Sequence, residues 1–187
     1  MKMNKWLWVA IIAIVVVGYG LLTYNGLVGK NEAVDKQWAQ VETQYQRRFD
    51  LIPNLVASVK GIMAQEQKVF GDLAEARTRY AGAQTIDDKA GAATQVEGAL
   101  GRLLVIMENY PVLQSSATVQ TLMAQLEGTE NRVSVERQRF NDDVRALNVT
   151  VKTFPTNLLA KMFGFAERAY FEVAPGAEVV PSVDLQN

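Results

Sequence analysis

The amino-acid sequence predicts an all-α protein in which an N-terminal transmembrane helix is followed by a long antiparallel helical bundle. No charged residue occurs between Trp6 and Gly29, and apolar residues then recur every seven positions through two long stretches. The segment at residues 82–91 is short and rich in turn-forming residues, so it can reverse the chain. We therefore expect three main helices and a short C-terminal helix. A coiled-coil filament is the alternative arrangement of the same pattern.

The apolar run WLWVAIIAIVVVGYGLLTY covers residues 6–24. About 20 such residues cross the ~30 Å hydrocarbon core of a bilayer. Trp6 and Trp8 stand at one end, and Tyr19 and Tyr24 toward the other, as interfacial anchors do. A cleaved signal peptide has an apolar core of only ~7–15 residues followed by a small-residue cleavage site. The longer run, with no A-x-A after it, predicts a membrane anchor that is retained.

The flanking charges predict an orientation. Lys2 and Lys5 precede the run, and Lys30 and Lys36 follow it beside acidic residues. Together with the terminal amine, this slight excess favours a cytoplasmic N-terminus, which would place the rest of the chain outside the cytoplasm. The predicted organisation is a flank at 1–5, a transmembrane helix at 6–24, a helical bundle at 25–165 and an extended tail at 166–187.

The composition excludes several classes of function. The net charge of −1 and the isoelectric point near 5.6 give no electrostatic basis for binding nucleic acid. The chain has no cysteine and no histidine, which removes thiolate nucleophiles, imidazole bases and the metal sites built from either. We therefore expect a protein without enzymatic activity and without a cofactor.

The heptad pattern after the apolar run predicts one long helix from Val34 to Tyr80, on the order of 70 Å at 1.5 Å per residue. Its main column contains Trp38, Tyr45, Ile52, Val59, Glu66, Leu73 and Tyr80. A proline can open a helix or bend a running one. Because the column keeps its phase across Pro53, we expect this proline to bend a continuous helix.

The next helices are bounded by turn-forming residues. Thr85 or Asp87 can cap a shorter second helix that reaches Tyr110, and Pro111 either ends it or opens the next one. A third, long heptad pattern begins at Val112.

That third helix should stop near Thr153, because Pro155 disfavours helical geometry in the residue before it. The stretch TNLLAKMFGF then predicts a short helix with Thr156 as its cap and Gly164 as its stop.

The blocks that follow the apolar run resemble the LemA family. They are YNGLVGKNEAVDKQWAQVETQYQRRFDLIPNLVASVKG, NYPVLQSS, LMAQLEGTENRVSVERQRFND, FPTNLLAKMFGF and YFEVAPGAEVVPSV. The resemblance implies a single N-terminal span in the bacterial inner membrane, with a periplasmic domain following from the charge bias above, and an all-helical antiparallel bundle. It implies no established enzymatic reaction. Relatives occur beside membrane proteases and TPM-domain proteins, which are therefore possible partners, and one branch works in magnetosome formation.

Two charged clusters are candidate sites. Arg47, Arg48 and Asp50 could bind an anion, but Arg48 occupies an apolar column and more simply pairs with a carboxylate on a facing helix. Glu66, also in a core column, is a possible partner of this kind.

The second cluster lies in the stretch LEGTENR. Glu127 and Glu130 could hold a metal or act as an acid/base pair, together with Glu66. Metal sites in helical bundles, however, use Glu-x-x-His pairs, and no histidine is present. An ion-pair network of Glu130, Arg132 and Arg137 is the simpler interpretation.

Aromatic residues are concentrated near the C-terminus, with Phe163, Phe165 and Phe171 as the main candidates. They could pack the end of the chain onto the bundle. They could also form a surface that docks on a membrane or on a neighbouring subunit. The sequence leaves both possibilities open.

Together these features predict a non-enzymatic, membrane-anchored scaffold or adaptor that associates with further copies of itself. One alternative is a regulator of envelope stress or membrane proteolysis that binds a partner protein. A carboxylate- or metal-dependent hydrolase is a third hypothesis, with weaker support.

Overall fold

A computed structural model of the chain describes residues 5–171. These residues form six helices, α1 (Lys5–Val59), α2 (Gln67–Gly82), α3 (Ile86–Met107), α4 (Pro111–Gln114), α5 (Ala117–Lys152) and α6 (Thr156–Phe163). No strand occurs in this part of the chain, so the all-α prediction is confirmed. Residues 166–171 of the predicted tail are not helical, and the remainder of the tail lies outside the described residues.

The described residues divide into two compact units. The first unit contains residues 5–44 and 132–170, and the second contains residues 45–131 and Phe171. Helices α1 and α5 each contribute to both units.

In the first unit, the N-terminal part of α1 packs against the C-terminal part of α5. The rings of Trp38 and Phe140 lie 5.7 Å apart with their planes inclined at 67°. Helix α6 follows α5 in the chain and contacts Tyr24, which precedes Trp38 on α1. The two long helices therefore run in opposite directions here. The fully or almost fully buried apolar side chains between them are Leu27, Val34, Val41, Val133, Val144 and Leu147.

In the second unit, an aromatic cluster packs where α1 meets α2. The ring of Phe49 lies 4.7 Å from Tyr80 and 5.5 Å from Tyr45. Phe171 reaches the same cluster, with its ring 6.4 Å from that of Tyr45. All four rings are at least nine-tenths buried. The apolar heptads of the sequence therefore form the core of a helical bundle, as predicted.

Pro53 lies inside α1, in agreement with the unbroken phase of the apolar column. The predicted single helix from Val34 to Tyr80 is wrong, however, because α1 ends at Val59 and residues 60–66 form turns before α2. The backbone N–H of Met63 donates to the carbonyl of Val59 at 3.0 Å, and Met63 is fully buried. Ile62, seven residues after the fully buried Leu55, is 47% exposed.

The reason for this break is local. Gly61 lies in the turn and disfavours a helix by about 1 kcal/mol relative to alanine, so it contributes to the break. The apolar pattern nevertheless continues after the turn. Leu73, which belongs to the main column, and Val69 are both buried residues of α2. A heptad column therefore cannot distinguish one long helix from two helices joined by a tight turn.

The other junctions refine the prediction. Thr85 is the N-cap of α3, and its hydroxyl accepts a hydrogen bond from the backbone N–H of Asp88 at 3.1 Å. Pro111 opens a helix, but this helix is the short α4 and not the long third helix. Ser116 separates the two, because its hydroxyl accepts from the backbone N–H of Val119 at 3.5 Å, at the start of α5.

The last boundaries follow the sequence closely. Helix α5 ends at Lys152, one residue before the predicted stop. Gly164 ends α6 in a left-handed conformation with φ of 78°, which favours glycine. The prediction that Thr156 caps α6 is wrong, because Pro155 occupies the cap position and Thr156 is the first helical residue.

Candidate functional site

Arg48 is the central charged residue of the second unit. It projects from α1 and is 8% exposed. Its Nη1 lies 3.3 Å from Oε1 of Glu97 on α3, and it also pairs with Glu130 on α5. One buried guanidinium thus joins three helices, which is the kind of contact that fixes the alignment of a bundle.

The residues beside Arg48 point away from this network. Arg47 and Asp50 are exposed, and Asp50 accepts a hydrogen bond from the side-chain amide of Gln46 at 2.9 Å. Successive residues of an α-helix are about 100° apart, so neighbours in sequence face different directions. The Arg47/Arg48/Asp50 cluster of the sequence is therefore not a cluster in space.

A groove of about 750 Å³ lies beside Arg48 within the second unit. One cation and three carboxylates line it, those of Arg48, Glu108, Glu127 and Glu130. Its remaining wall is mostly apolar and is built by α3, α4 and α5, with Leu100, Leu104, Met107, Leu113, Met123 and Leu126. Glu127 and Glu130, singled out from the sequence, therefore share one groove.

Glu66 does not join them. It stands at the start of α2, where Oε1 accepts a hydrogen bond from the hydroxyl of Tyr110 at 3.1 Å. This hydrogen bond raises the pKa of Tyr110, with desolvation and the negative charge of Glu66 contributing in the same direction. Glu66 is thus neither the partner of Arg48 nor part of a three-carboxylate group with Glu127 and Glu130. Within residues 5–171, no three acidic side chains are placed to hold a metal ion together.

Glu130 has a partner outside the network predicted with Arg132 and Arg137. Arg132 is exposed, while Glu130 pairs with Arg48. In the first unit, Glu136 accepts a hydrogen bond from the amide of Gln37 at 2.7 Å and pairs with Arg139 at 2.8 Å. Nothing in the sequence singles out Glu136, because alternating charges on a helix surface look alike until the facing helix is known.

The C-terminal aromatic residues belong to different units. Phe163 and Phe165 pack around Tyr24 in the first unit, with ring centroids 5.0 and 6.0 Å from it. Phe171 instead packs on Tyr45 in the second unit. Packing onto the protein therefore accounts for Phe165 and Phe171, whereas Phe163 is still 40% exposed.

Arg168 is a residue that the sequence did not identify as important. Its guanidinium lies 2.9 Å from Oδ1 of Asp35 and 3.2 Å from Oδ1 of Asn31, both on α1. Its backbone N–H and C=O both bond to the side chain of Asn148 on α5. The one hint in the sequence is Asn148, a polar residue directly after Leu147 on the core side of α5, which needs a hydrogen-bond partner.

Among the described residues, α1 is the one helix long and apolar enough to cross a membrane. No residue in the most apolar part of this helix is buried by the rest of the protein. Trp6 and Leu22, near the two ends of the run, are 83% and 75% exposed.

Comparison with known proteins agrees with the sequence blocks. The model of the family described as the LemA family matches residues 37–185. The chain belongs to the LemA family. This LemA chain is 28% identical over 184 residues to magnetosome protein MamQ of Magnetospirillum gryphiswaldense, with 84% of this chain and 68% of the relative covered. Magnetosome proteins MamQ 1 and MamQ 2 of Paramagnetospirillum magneticum are each 26% identical over the same shares. Neither the family description nor these names indicates a catalytic activity.

Proposed function

We propose that this LemA family protein is a non-enzymatic scaffold or adaptor, anchored in a membrane by residues 6–24. The observation that carries the proposal is the exposed apolar part of α1, which continues without interruption into the core of the bundle. Leu27 and Val34, just beyond the run, are fully buried. An exposed run of this length is strongly disfavoured in water and fits the interior of a bilayer.

The charged side chains support a structural role over a catalytic one. Glu97 and Glu130 are bound by Arg48, and Glu66 is bound by Tyr110. Carboxylates that work as acids or bases need a substrate within hydrogen-bond reach and a proton to exchange with it. All three glutamates are engaged in contacts between separate segments of the fold, which supports a structural role.

For the location, we propose the inner membrane of a bacterium, with the bundle on the periplasmic side. The chain has no cysteine, so Asn131→Cys creates one exposed thiol on α5. A maleimide that cannot cross the inner membrane should label this variant in cells whose outer membrane alone is permeable. Labelling only after the inner membrane is broken would show that the bundle lies on the cytoplasmic side. It would not argue against the membrane anchor.

Self-association is the second part of the proposal. Anchoring confines all copies to one plane, which raises their effective concentration without any new contact. Chemical cross-linking in native membranes, followed by native mass spectrometry in detergent, should give one defined species larger than the monomer. A strictly monomeric protein in both experiments would remove self-association and leave an adaptor that works as a single copy.

A second candidate function is a regulator that binds a partner protein through the groove beside Arg48. The groove is mainly apolar, and its three carboxylates outnumber its single arginine. It is therefore suited to an apolar segment that carries a lysine or arginine, since the cation would meet the carboxylate excess. The chain's own residues 172–187 contain three acidic side chains and no basic one, so charge does not favour them as the occupant. A membrane protease or a TPM-domain protein is a possible source of such a segment.

A photo-crosslinking amino acid at position 120, in the groove wall, tests this candidate. Position 125 on the same helix is exposed and outside the groove lining, and it serves as the control. A partner whose cross-linked peptide is apolar and basic, seen at 120 and lost in a Glu127→Lys variant, would support the regulator. A cross-link to a second copy of the same chain would instead assign the groove to self-association.

A further inference from the structure

Helix α6 is attached to the end of the apolar run. The hydroxyl of Tyr19 lies 3.3 Å from Oγ1 of Thr156, the first residue of α6. The ring of Tyr24 contacts Phe163, the last residue of α6, in an edge-to-face arrangement at 5.0 Å. The two ends of α6 are therefore held at the level of Tyr19 and Tyr24. In the proposed anchor, this level is where the span leaves the hydrocarbon core.

The outer side of this segment is a row of large apolar side chains. Phe154, Leu158 and Met162 are 75%, 63% and 67% exposed and follow one another every four residues. The last two lie on one face of α6, because residues four apart in a helix are neighbours on its surface. Ala160, on the opposite side, is fully buried. Helix α6 thus has one face packed on the protein and one apolar face directed away from it.

Basic residues accompany this row. Lys161 is an exposed residue of α6 beside Met162. Lys152 ends α5 just before Phe154, and its ammonium group pairs with Glu167 at 2.7 Å. Lysine side chains at the edge of an apolar face can reach lipid phosphates while their methylene groups cover apolar surface.

We propose that α6 is a second membrane contact, in which Phe154, Leu158 and Met162 enter the interfacial layer of the bilayer that residues 6–24 cross. The inference rests on the proposed anchor. The surface available at the depth of Tyr19 and Tyr24 is then lipid, which is what favours lipid over a soluble partner. Lys161 lies where it can meet lipid phosphates. With α6 bound to both α1 and the lipid surface, rotation and tilt of the anchor are restricted.

Fluorescence quenching in liposomes tests this contact on the full-length protein. The absence of cysteine allows one environment-sensitive label per variant, at Leu158→Cys, at Val15→Cys in the apolar run and at Val135→Cys. Val135 is a matched control, since it is an exposed apolar residue of α5 in the same unit, 17 residues before Lys152 along the helix. The liposomes contain phosphatidylcholine and phosphatidylglycerol, with or without a quencher on the acyl chain.

The label at position 158 should lose at least half of its emission when the lipid quencher is present, and the label at 135 should lose little. A label at Met162→Cys should behave like that at 158, which guards against a local disturbance by one label. Quenching at 15 without quenching at 158 and 162 would overturn the inference and leave the anchor intact. Absence of quenching at 15 would overturn the anchor and the inference together.

Discussion

Asn148 and Arg168 exchange two hydrogen bonds across the first unit. The side-chain amide of Asn148 donates to the backbone carbonyl of Arg168 at 2.8 Å, and its carbonyl oxygen accepts from the backbone N–H of Arg168 at 2.9 Å. Asn148 is 3% exposed and Arg168 is half-buried, so both bonds are partly shielded from water. One side chain of α5 thereby fixes the backbone of the segment that follows α6.

Replacement of this asparagine should destabilise the protein. Asn148→Ala leaves a backbone donor and a backbone acceptor without partners, and each such group costs about 1–3 kcal/mol when it is buried. We expect the midpoint of chemical unfolding in detergent to fall clearly. Asn131→Ala makes the same change at an exposed position of α5 and should have little effect. Equal effects of the two variants would mean that the pair with Arg168 contributes nothing.

Loss of the buried Arg48 should destabilise the protein by leaving carboxylates unpaired. Arg48→Met leaves the carboxylates of Glu97 and Glu130 without their shared cation. Breaking a fully buried ion pair costs ~3–5 kcal/mol. Because the side chain of Glu130 is 44% exposed, we expect a smaller loss of about 2–3 kcal/mol in the free energy of unfolding.

Two further variants isolate this effect. Arg47→Met removes the same charge one residue away at an exposed position and should be close to neutral. The triple variant Arg48→Met, Glu97→Gln, Glu130→Gln should recover part of the loss, because no charge remains unpaired. If the triple variant were less stable than Arg48→Met alone, repulsion between the carboxylates could not be the cause.

The Tyr110 hydroxyl should show a measurable pH dependence. Its pKa in the folded protein is raised by the hydrogen bond to Glu66, above the ordinary tyrosine value of about 10. The contribution of this contact to stability is therefore complete below about pH 10 and is lost as the pH rises through the folded-state pKa. Glu66→Gln should lower the pKa of Tyr110 toward its ordinary value.

Ultraviolet titration of phenolate absorbance measures this shift. The chain has six tyrosines, so the signal of Tyr110 is taken as the difference between each protein and its Tyr110→Phe counterpart. An unchanged difference curve in Glu66→Gln would show that Glu66 does not control the titration.

Replacement of Pro53 should raise the stability of the protein. It is exposed and lies inside α1, where a proline costs about 3 kcal/mol relative to alanine. Pro53→Ala should therefore stabilise the protein by about 1–3 kcal/mol, followed as the unfolding midpoint of helical circular dichroism. Asn54→Ala, the adjacent exposed position, should gain less than 1 kcal/mol. A destabilised Pro53→Ala variant would mean that the packing of α1 requires the proline geometry.

Much of the fold follows from periodicity in the sequence. The heptad phase does not change along α1. It therefore predicts that Tyr45, Ile52 and Val59 are buried on one face and that Pro53 lies within the helix. Capping chemistry determined other boundaries, at Thr85 and at Gly164. These features depend on residues close together in the chain, which is why the sequence predicts them.

The contacts of the candidate site depend on distant residues and were less predictable. The sequence indicates that Arg48 needs a carboxylate, but the choice of Glu97 and Glu130 depends on how α3 and α5 align with α1. The break after Val59 is not visible in the sequence, because the column of apolar residues continues through it. Asn148 and Arg168 lie 20 residues apart with α6 between them, so their pairing appears only in the folded chain.

In the proposed function, residues 6–24 remain in the protein and hold it in a membrane. Sodium carbonate extraction of membranes, followed by intact mass measurement, tests both parts at once. We predict that the chain stays in the membrane pellet and keeps its N-terminal residues. The variant Val15→Arg/Val16→Arg, with each arginine costing about 2.5–3.5 kcal/mol at the centre of a span, should move toward the soluble fraction. A native protein that is extracted by carbonate, or that begins after residue 24, would contradict the account.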